Sequence, residues 1–510
     1  MITICIRAPR TKGRRPKGVI YFRNLSEKKM LVDEFIYRIK DVMGFPPTRD
    51  QEQAMRVFGR FLACRDDHPL MILRGSAGTG KTTLASAFVR TLVALRQHVV
   101  LLAPTGRAAK VFAKNSGQPA YTIHSAIYRQ QQMDADGGSF GLDFNKHADT
   151  LFLVDEASMI ANEGSGSGAF GSGRLLDDLV QYVCQGRRCR MMLIGDRAQL
   201  PPVGEEESPA LSSGFMSGYG LTVFESNLHE VLRQGEASGI LWNATKLRDA
   251  VVGRPCIRFH GFADIVSVSG SELIEQLTTS YGEVGEDETI VVTRSNKQAN
   301  IYNQGIRSQV LWREDELCTG DLLMVVKNNY KATSPRDATP GEPSFIANGD
   351  RCVVQRVRGI HEMHGFRFAE LWVRFPDFDN YELQTLALLD TLTTEAPALT
   401  HEQQEQLYLS VMEDYADIPQ KRERLKKVRE DKYYSALQVK FAYAVTCHKA
   451  QGGQWAHVYV DQGYMTDDML TPEYIHWLYT AFTRATDKLF LVNWPKEMTE
   501  PKVDGVKVEF

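Results

Sequence analysis

The chain has 510 residues, too many for one ordinary hydrophobic core, so several domains are expected. A net charge of −3 excludes a protein that coats nucleic acid through its overall charge, although a local basic channel stays open. With 43% hydrophobic and 24% charged residues, the composition is typical of a soluble globular protein. An apolar run of about 18 residues is absent from the sequence, so no membrane span is expected.

The predicted layout begins with an N-terminal extension, residues 1–45. Its opening "MITICIRAPRTKGRRPKG" is rich in arginine and poor in acids, which fits either a mobile basic arm or a transit peptide. The eight cysteines of the chain are scattered without a CxxC pair. We therefore expect free thiols in a reducing cytoplasm and no structural metal.

Short apolar runs, each followed by turn residues and a helix-like stretch, recur in two sets. The first set covers about 68–215 and the second about 289–500. Continuous apolar runs of this kind predict parallel strands buried on both faces, with helices as crossovers. The sequence therefore predicts two α/β lobes, the first at 46–218 and the second assembled from 219–308 and 438–510.

An insertion, 309–437, interrupts the second lobe. Its short strand-like segments are separated by Gly, Asn and Asp turns, which predicts a small β-barrel. Within the insertion, about 398–435 is predicted to be a helical arm that projects from the barrel and opens with a capping box, Thr400 to Gln403. The arm's charge run "QKRERLKKVREDK" is typical of a solvated helix face; contact with a nucleic-acid strand is the alternative.

A P-loop follows the first apolar run, in the segment "LMILRGSAGTGKTT". Its glycines let backbone N–H groups turn toward phosphate oxygens at a helix N-terminus, Lys81 would reach the β- and γ-phosphates, and the Thr82 hydroxyl would bind Mg²⁺. The sequence therefore predicts ATP and Mg²⁺ as cofactors. The predicted nucleotide-binding residues of this loop are Gly75, Ser76, Ala77, Gly78, Thr79, Gly80, Lys81, Thr82 and Thr83.

An acidic pair follows the next buried run, in "LFLVDEAS". Asp155 would hold Mg²⁺ through water, and Glu156 could orient the attacking water, an arrangement that favours hydrolysis. The alternative is a solvated loop end.

Three further residues are candidates for sensing the γ-phosphate. In "IGDRAQLPPVG", Gln199 could reach it while two prolines stiffen the chain beyond. Arg484 in "LYTAFTRA" and Arg233 in "LHEVLRQ" could stabilise the charge of the transition state, an effect of about 10³ to 10⁵ in rate. A surface salt bridge is the alternative for each arginine.

Taken together, the motifs resemble those of a known family. The segments "GSAGTGKTT", "APTGRAAK", "TIHS", "LVDEAS", "GDRAQLPPVG", "VLRQ", "TCHKAQG" and "LYTAFTRA" occur in the order seen in superfamily 1 helicases. The set is most similar to the 5′→3′ branch that includes RecD-like and Dda-like helicases. The resemblance implies two RecA-like P-loop NTPase lobes that clamp ATP and Mg²⁺ between them, plus an SH3-like β-barrel insertion carrying the helical arm.

The same resemblance implies further site residues. Gln51 corresponds to a glutamine that reads adenine, and Gly453 to a residue that approaches the nucleotide from the second lobe. Hydroxyls, backbone N–H groups and lysine grip phosphates without reading bases. For His448, packing in the core is the alternative. The implied strand contacts are Pro104, Thr105, Thr122, His124, Pro201, Pro202, Thr446, His448 and Lys449.

Family members split duplexes with a hairpin between the "TIHS" and "VDEA" motifs. Here that pin is expected at about 129–147, where "DGG" favours a tight turn. Phe140 or Phe144 could stack on the terminal base pair. The alternative is a surface hairpin whose aromatic residues are packed.

The resemblance implies an ATP-dependent 5′→3′ DNA helicase, its polarity coming from the resemblance alone. We expect a monomer that tracks single-stranded DNA and acts at single-strand–duplex junctions, without a membrane partner. An RNA-directed helicase stays open, because phosphate contacts do not exclude a reader of the ribose 2′-OH. A non-unwinding, DNA-dependent ATPase clamp is the other alternative. DNA repair, recombination and replication are all pathways that use such motors.

Overall fold

A computed structural model describes the chain in seven ranges: 25–132, 139–163, 171–231, 238–249, 254–329, 346–378 and 380–500. The described residues form two compact units, the first reaching residue 231 and the second beginning at residue 238. Across these ranges, no helix combines the length and the apolar character needed to cross a membrane.

A parallel sheet is the centre of the first unit. In the described residues it has six strands in the order β3-β2-β6-β7-β1-β8, while β4 and β5 pair antiparallel as a separate hairpin. The strands are β1 Pro69–Gly75, β2 His98–Ala103, β3 Ala120–Thr122, β4 Tyr128–Gln132, β5 Ser139–Leu142, β6 Thr150–Val154, β7 Arg190–Gly195 and β8 Thr222–Leu228.

Helices cover both faces of this sheet, because successive strand side chains point to opposite faces. On β1, Met71 and Leu73 pack in the core on one face, whereas Leu70 and Ile72 pack in the core on the other. The helices are α1 Leu25–Met43, α2 Arg49–Ala63, α3 Lys81–Ala94, α4 Gly106–Ser116, α5 Ile123–Ile127, α6 Leu175–Gln185 and α7 Ser213–Ser217.

Two features of the first unit differ from the sequence-based layout. Helix α1 buries Phe35 and Ile39 in the core beside α2 and α3, so this part of the predicted extension belongs to the first unit. The basic opening for which a mobile arm or a transit peptide was expected lies within residues 1–24, outside the described residues. Strand β8 pairs with β1 in the first sheet, although it follows the expected boundary at 218. Its sequence, "TVFESNL", lacks a continuous apolar run because it lies at the sheet edge.

The second unit contains a parallel sheet and a closed β-barrel. In the described residues the sheet order is β16-β10-β17-β18-β9, and the barrel closes as β11-β12-β13-β14-β15. The strands are β9 Ile265–Val268, β10 Thr289–Thr293, β11 Leu322–Val325, β12 Arg351–Met363, β13 Phe366–Phe375, β14 Tyr381–Leu388, β15 Leu437–Phe441, β16 Ala444–Thr446, β17 Trp455–Asp461 and β18 Ala485–Val492.

The predicted barrel insertion is confirmed, with a later end than expected. β15 pairs antiparallel with β11 to close the barrel, so the insertion extends past 437 and the chain re-enters the sheet at β16. The helices of this unit are α8 Gly239–Asp249, α9 Leu273–Glu283, α10 Asn296–Gly305, α11 His401–Glu413, α12 Lys421–Glu430, α13 Cys447–Ala450 and α14 Pro472–Phe482.

The helical arm packs on the barrel rather than projecting from it. Leu407 and Val411 of α11 and Val428 of α12 share one core with Phe366 and Phe368 of β13. The apolar face of α11, spaced at helical intervals, is therefore buried against the barrel wall. The capping box predicted at the start of the arm is confirmed.

Candidate functional site

The loop between β1 and α3 is shaped to hold phosphates. Gly78 and Gly80 adopt φ angles of 76° and 77°, in the left-handed region that favours glycine. A Cβ on Gly75 would lie 2.7 Å from Thr79 Oγ1 and 2.9 Å from Lys81 Cγ, so the loop has no room for a side chain there. The loop leads directly into α3, whose N-terminus attracts anions, so these residues fit a triphosphate.

Lys81 is anchored above this loop. Its Nζ donates a hydrogen bond to the Ser76 carbonyl at 2.9 Å and lies 3.8 Å from Asp196 Oδ2. Asp196 is buried directly after β7. Sequence reasoning missed Asp196, although an acid next to the apolar run "MMLIG" and close to Gln199 was the available signal.

The acidic pair lies at the end of β6 and fits a cation. Burial and, after it, the neighbouring Glu156 charge raise the pKa of Asp155 to about 7, while the Glu156 backbone N–H and Lys81 act in the opposite direction. Glu156 has a φ of 51°, and its backbone N–H donates to Asp155 Oδ1 at 2.9 Å. A divalent cation would stabilise the ionised Asp155 carboxylate, so Asp155 and Thr82 are the residues that would hold Mg²⁺.

Gln199 has an unused acceptor in a buried position. Within the described residues, its Oε1 is buried without a hydrogen-bond partner. An unsatisfied buried amide oxygen costs about 1–3 kcal/mol, so a donor such as a water molecule would stabilise it. The amide nitrogen is the part of this side chain that could reach a phosphate oxygen.

Gln51 ties α2 to the phosphate loop. Its Nε2 donates to the Thr79 carbonyl at 3.0 Å, and its Oε1 accepts from the Thr48 backbone N–H at 3.1 Å as part of a capping box. The side chain is fully buried. One N–H of the amide is left to bind adenine, so the adenine-reading role stays a prediction. The bond to Thr79 shows that Gln51 also positions the phosphate loop.

In the second unit, Arg484 and Gly453 lie together. Arg484 is buried, and its Nη1 donates to the Gly453 carbonyl at 3.1 Å. Two further bonds are also to neutral groups: Nε donates to the Thr480 carbonyl at 3.0 Å, and Nη2 donates to Thr483 Oγ1 at 3.2 Å. In the described part of the chain no carboxylate forms an ion pair with this guanidinium, so its charge is available for a phosphate. The second arginine candidate, Arg233, lies outside the described residues.

The strand-contact candidates of the first unit share a sheet edge with the phosphate loop. Pro104 and Thr105 follow the carboxyl end of β2, and Thr122 ends β3. The sheet order places β3 and β2 to one side of β6, β7 and β1, which carry the nucleotide candidates. Ligands of parallel α/β sheets bind at this carboxyl edge, so the two groups of candidates are neighbours.

These candidates differ in what they could offer a phosphate. The Thr105 hydroxyl accepts from the Ala108 N–H at 3.2 Å, so it caps α4, and Thr122 Oγ1 accepts from the Ser125 N–H at 3.2 Å. Burial lowers the pKa of His124 to about 4, so this imidazole is neutral at pH 7 and supplies no positive charge. After β7, Pro201 is half-buried and Pro202 is buried.

The candidates of the second unit follow β16. His448 is exposed, so its alternative role as a packed core residue is wrong. Thr446 and Lys449 are half-buried. Burial, reinforced by a neighbouring lysine, lowers the pKa of Lys449 to about 8.

The predicted pin is a hairpin formed by β4 and β5, and its tip, 133–138, lies outside the described residues. The two aromatic candidates differ in environment. Phe140 is half-buried against the core of the first unit, which matches the packed alternative. Phe144 follows β5 and is 65% exposed, so it is the candidate available for stacking.

The phosphate loop, the acidic pair and the parallel sheet define a P-loop nucleoside triphosphatase. Two protein families match the chain: "AAA domain" over residues 48–251 and "UvrD-like helicase C-terminal domain" over residues 441–492. The first match spans the sheet that carries the phosphate loop. The second runs from the last residue of β15 to the end of β18 and includes Arg484.

Curated relatives include an uncharacterised protein of Acanthamoeba polyphaga mimivirus, 23% identical over 83% of this chain and 95% of the relative. The ATP-dependent DNA helicase dda of Enterobacteria phage T4 is 23% identical over 59% of this chain and 66% of the relative. The ATP-dependent RecD2 DNA helicase of Deinococcus radiodurans is 33% identical over 27% of this chain and 16% of the relative. The chain therefore matches just under two thirds of the phage protein and a small part of RecD2.

Solved structures of Pif1 helicases are also similar. One, of two Pif1 helicases at forked duplex DNA, has a TM-score of 0.45 and 16% identity over 90% of this chain and 95% of that chain. The Candida albicans Pif1 helicase has a TM-score of 0.44 and 16% identity, over 89% of this chain and 96% of that chain. In its motifs, its two family matches and its curated relatives, the chain is similar to superfamily 1 helicases of the Dda- and RecD-like group.

Proposed function

We propose that this chain is an ATP-dependent DNA helicase that moves 5′→3′ along single-stranded DNA and unwinds duplex at single-strand–duplex junctions. One observation carries the proposal: nucleotide residues and strand-contact candidates lie at the same carboxyl edge of the first sheet. The phage T4 and Deinococcus radiodurans relatives are both named ATP-dependent DNA helicases. The polarity follows the resemblance to the 5′→3′ branch.

Each residue of the site has its own proposed role in ATP hydrolysis. ATP with Mg²⁺ supplies, when bound, the phosphoanhydride bond that is broken and a divalent charge beside it. The loop N–H groups and Lys81 would hold the phosphates, Thr82 and Asp155 would hold the metal, and Glu156 would orient the attacking water. Arg484 is proposed to stabilise the charge that develops on the transferred phosphoryl group during the cycle.

The segment after β7 is the proposed link between nucleotide and strand. Asp196 lies beside Lys81, and its carbonyl accepts from the Gln199 N–H at 3.3 Å. Pro201 and Pro202 follow at once, and each proline ring fixes a backbone φ angle. Because this segment is stiff, a movement of Gln199 would move the proline pair with it. A motor that steps along a strand requires such a rigid connection between its nucleotide site and its strand contacts.

The test of this assignment is Lys81→Ala, with Lys114→Ala as the matched control. Lys114 is an exposed lysine in the last turn of α4, so its loss removes the same charge without touching the loop. We expect Lys81→Ala to abolish ATP hydrolysis while single-strand binding is largely kept, and Lys114→Ala to behave as wild type. Full turnover by Lys81→Ala would contradict the phosphate assignment.

The two alternative functions, an RNA-directed helicase and a non-unwinding clamp, can be distinguished by assays with different nucleic acids. Stimulation of ATP hydrolysis by single-stranded RNA in preference to single-stranded DNA would favour an RNA-directed helicase. DNA-stimulated hydrolysis without strand displacement would favour a clamp. For the compartment, we propose a reducing cytoplasm, because the eight cysteines are scattered along the sequence without a CxxC pair.

A further inference from the structure

The end of strand β8 is held by a carboxylate from helix α2. β8 lies at one edge of the first sheet, and its pairing with β1 ends at Leu228. The backbone N–H groups of His229 and Glu230 come after the last paired residue, so they need acceptors outside the sheet. Both donate to Oδ2 of Asp50, at 2.7 and 3.0 Å. One half-buried carboxylate therefore fixes the chain where it leaves the sheet.

The contact between α2 and the end of β8 is reciprocal. Arg49 is the first residue of α2, and a backbone N–H at this position has no acceptor within the helix. It donates to Oε2 of Glu230 at 3.0 Å. Asp50 and Glu230 thus each accept from the backbone of the other's segment, and both carboxylates lie at the positive end of α2, which stabilises them. We call these two residues the α2–β8 brace.

The α2–β8 brace connects the two ends of the phosphate loop. At the start of the loop, Gly75 pairs with Leu228, and a Cβ on Gly75 would lie 3.0 Å from the Leu228 Cβ. Further along the loop, the Thr79 carbonyl accepts from Nε2 of Gln51, the residue that follows Asp50 in α2. The phosphate loop, β8, the brace and α2 therefore form a closed ring of contacts, in which the brace is the connection between β8 and α2.

We propose that Asp50 and Glu230 are positioning residues for ATP, because they hold Gln51 and the phosphate loop in the shape that binds the nucleotide. This inference rests on the proposed function and adds two residues that have no role in it so far. They act through Gln51 and the loop backbone. A loop that is already held in its binding shape loses less conformational freedom when ATP binds, so loss of the brace weakens affinity. Its loss should raise KM more than it lowers kcat.

Nucleotide affinity of brace variants tests the proposal. Binding of a fluorescent ATP analogue is measured by anisotropy, KM and kcat by steady-state ATP hydrolysis, and folding by thermal denaturation. We expect Asp50→Ala to weaken binding about tenfold, the factor that one hydrogen bond to a charged group contributes. Asp50→Asn keeps an oxygen that accepts and should recover most of the affinity. The matched control is Glu275→Ala, which removes an exposed acid from the first turn of α9 and should behave as wild type.

A double-mutant cycle with Gln51→Ala separates positioning from general stabilisation. If Asp50 acts through Gln51, the two losses of affinity are coupled, and the combined variant should bind at least about threefold more tightly than the product of the single losses predicts. Losses that simply multiply would overturn the proposal, as would a folded Asp50→Ala with wild-type affinity, and both results leave the proposed helicase function intact. Wild-type chain that neither binds nor hydrolyses ATP would instead remove the proposed function, and this inference with it.

A second measurement uses the wild-type chain and does not depend on the folding of a variant. Backbone hydrogen exchange is measured by mass spectrometry with and without a non-hydrolysable ATP analogue. We expect the analogue to slow exchange in the peptide that carries His229 and Glu230, because an occupied phosphate loop stabilises the ring of contacts that includes the brace. Exchange in α6, which packs on the other face of the first sheet, should not change. Equal exchange at His229 and Glu230 with and without the analogue would contradict the proposal.

Discussion

Replacement of Arg484 by alanine should slow ATP hydrolysis without preventing nucleotide binding. The guanidinium is buried, donates to three neutral oxygens, and is paired with no carboxylate among the described residues. Its positive charge is therefore not cancelled locally and is available to the reaction. The proposed role is stabilisation of transition-state charge, which leaves ground-state affinity for ATP nearly unchanged.

The expected size of the effect follows from that role. An arginine acting on the transferred phosphoryl group contributes about 10³ to 10⁵ in rate. At 1.36 kcal/mol for each factor of ten, this corresponds to about 4–7 kcal/mol of transition-state stabilisation. The neighbouring variant Thr483→Val removes one acceptor of the guanidinium and keeps its charge. A single hydrogen bond contributes about 1 kcal/mol, so we expect this control to lose less than tenfold in rate.

The assay is single-strand-stimulated ATP hydrolysis, measured together with the affinity for a fluorescent ATP analogue. Thermal denaturation of each variant separates a loss of rate from a loss of fold, since Arg484 also packs in the second unit. The reasoning would be refuted by a folded Arg484→Ala that hydrolyses ATP within tenfold of wild type. A large loss of nucleotide affinity with unchanged kcat would equally contradict a role confined to the transition state.

Three other changes have expected outcomes. Gly75→Ala places a Cβ 2.7 Å from Thr79 Oγ1, so we expect ATP affinity to fall at least about tenfold, measured by analogue binding; wild-type affinity would contradict the geometry of the loop. Phe144→Ala should reduce strand displacement more than ATP hydrolysis, because this ring is exposed. Phe140→Ala should mainly lower the melting temperature, because this ring packs against the core. The reverse pattern would exclude Phe144 as the pin residue. Asp321 is fully buried and accepts two hydrogen bonds from Arg307, at 2.9 and 3.0 Å. Asp321→Asn should therefore lower the free energy of unfolding of the second unit by about 3–5 kcal/mol, measured by urea denaturation. A change below about 1 kcal/mol would argue against a stabilising role for this ion pair.

The parts of the fold with the clearest sequence pattern were predicted well. The apolar runs that became β1, β6 and β7 are buried on both faces, and the turns around them carry Lys81 and Asp155 as expected. These strands were recognisable because a strand covered by helices on both sides needs apolar residues at every position. The capping box at Thr400 was equally visible, since its two side chains satisfy backbone groups only three residues apart.

Elements whose position depends on distant partners were not predictable in the same way. β8 is an edge strand with mixed side chains, so its sequence does not show that it pairs with β1. The burial of Phe35 in α1 depends on α2 and α3, and the packing of α11 on β13 depends on barrel residues far away in the chain. The spacing of apolar residues along the chain indicates a helix and its apolar face, but it does not indicate which surface that face will cover.

The same limit applies within the candidate site. A motif identified Gln51, but the bond from its amide to the Thr79 carbonyl appears only when α2 lies beside the loop. Asp196 was overlooked because its significance comes from Lys81, which lies more than 100 residues earlier in the chain.

Strand displacement on tailed duplexes tests the central claim most directly. Duplexes of one sequence are prepared with a 5′ tail, a 3′ tail or both tails as a fork, and incubated with wild-type chain or Lys81→Ala, with and without ATP and Mg²⁺. The account predicts separation of the 5′-tailed and forked substrates by wild type, only with ATP and Mg²⁺ present, and no separation by Lys81→Ala. Displacement that favours a 3′ tail would contradict the polarity, and displacement that continues without ATP or in Lys81→Ala would contradict the proposed motor.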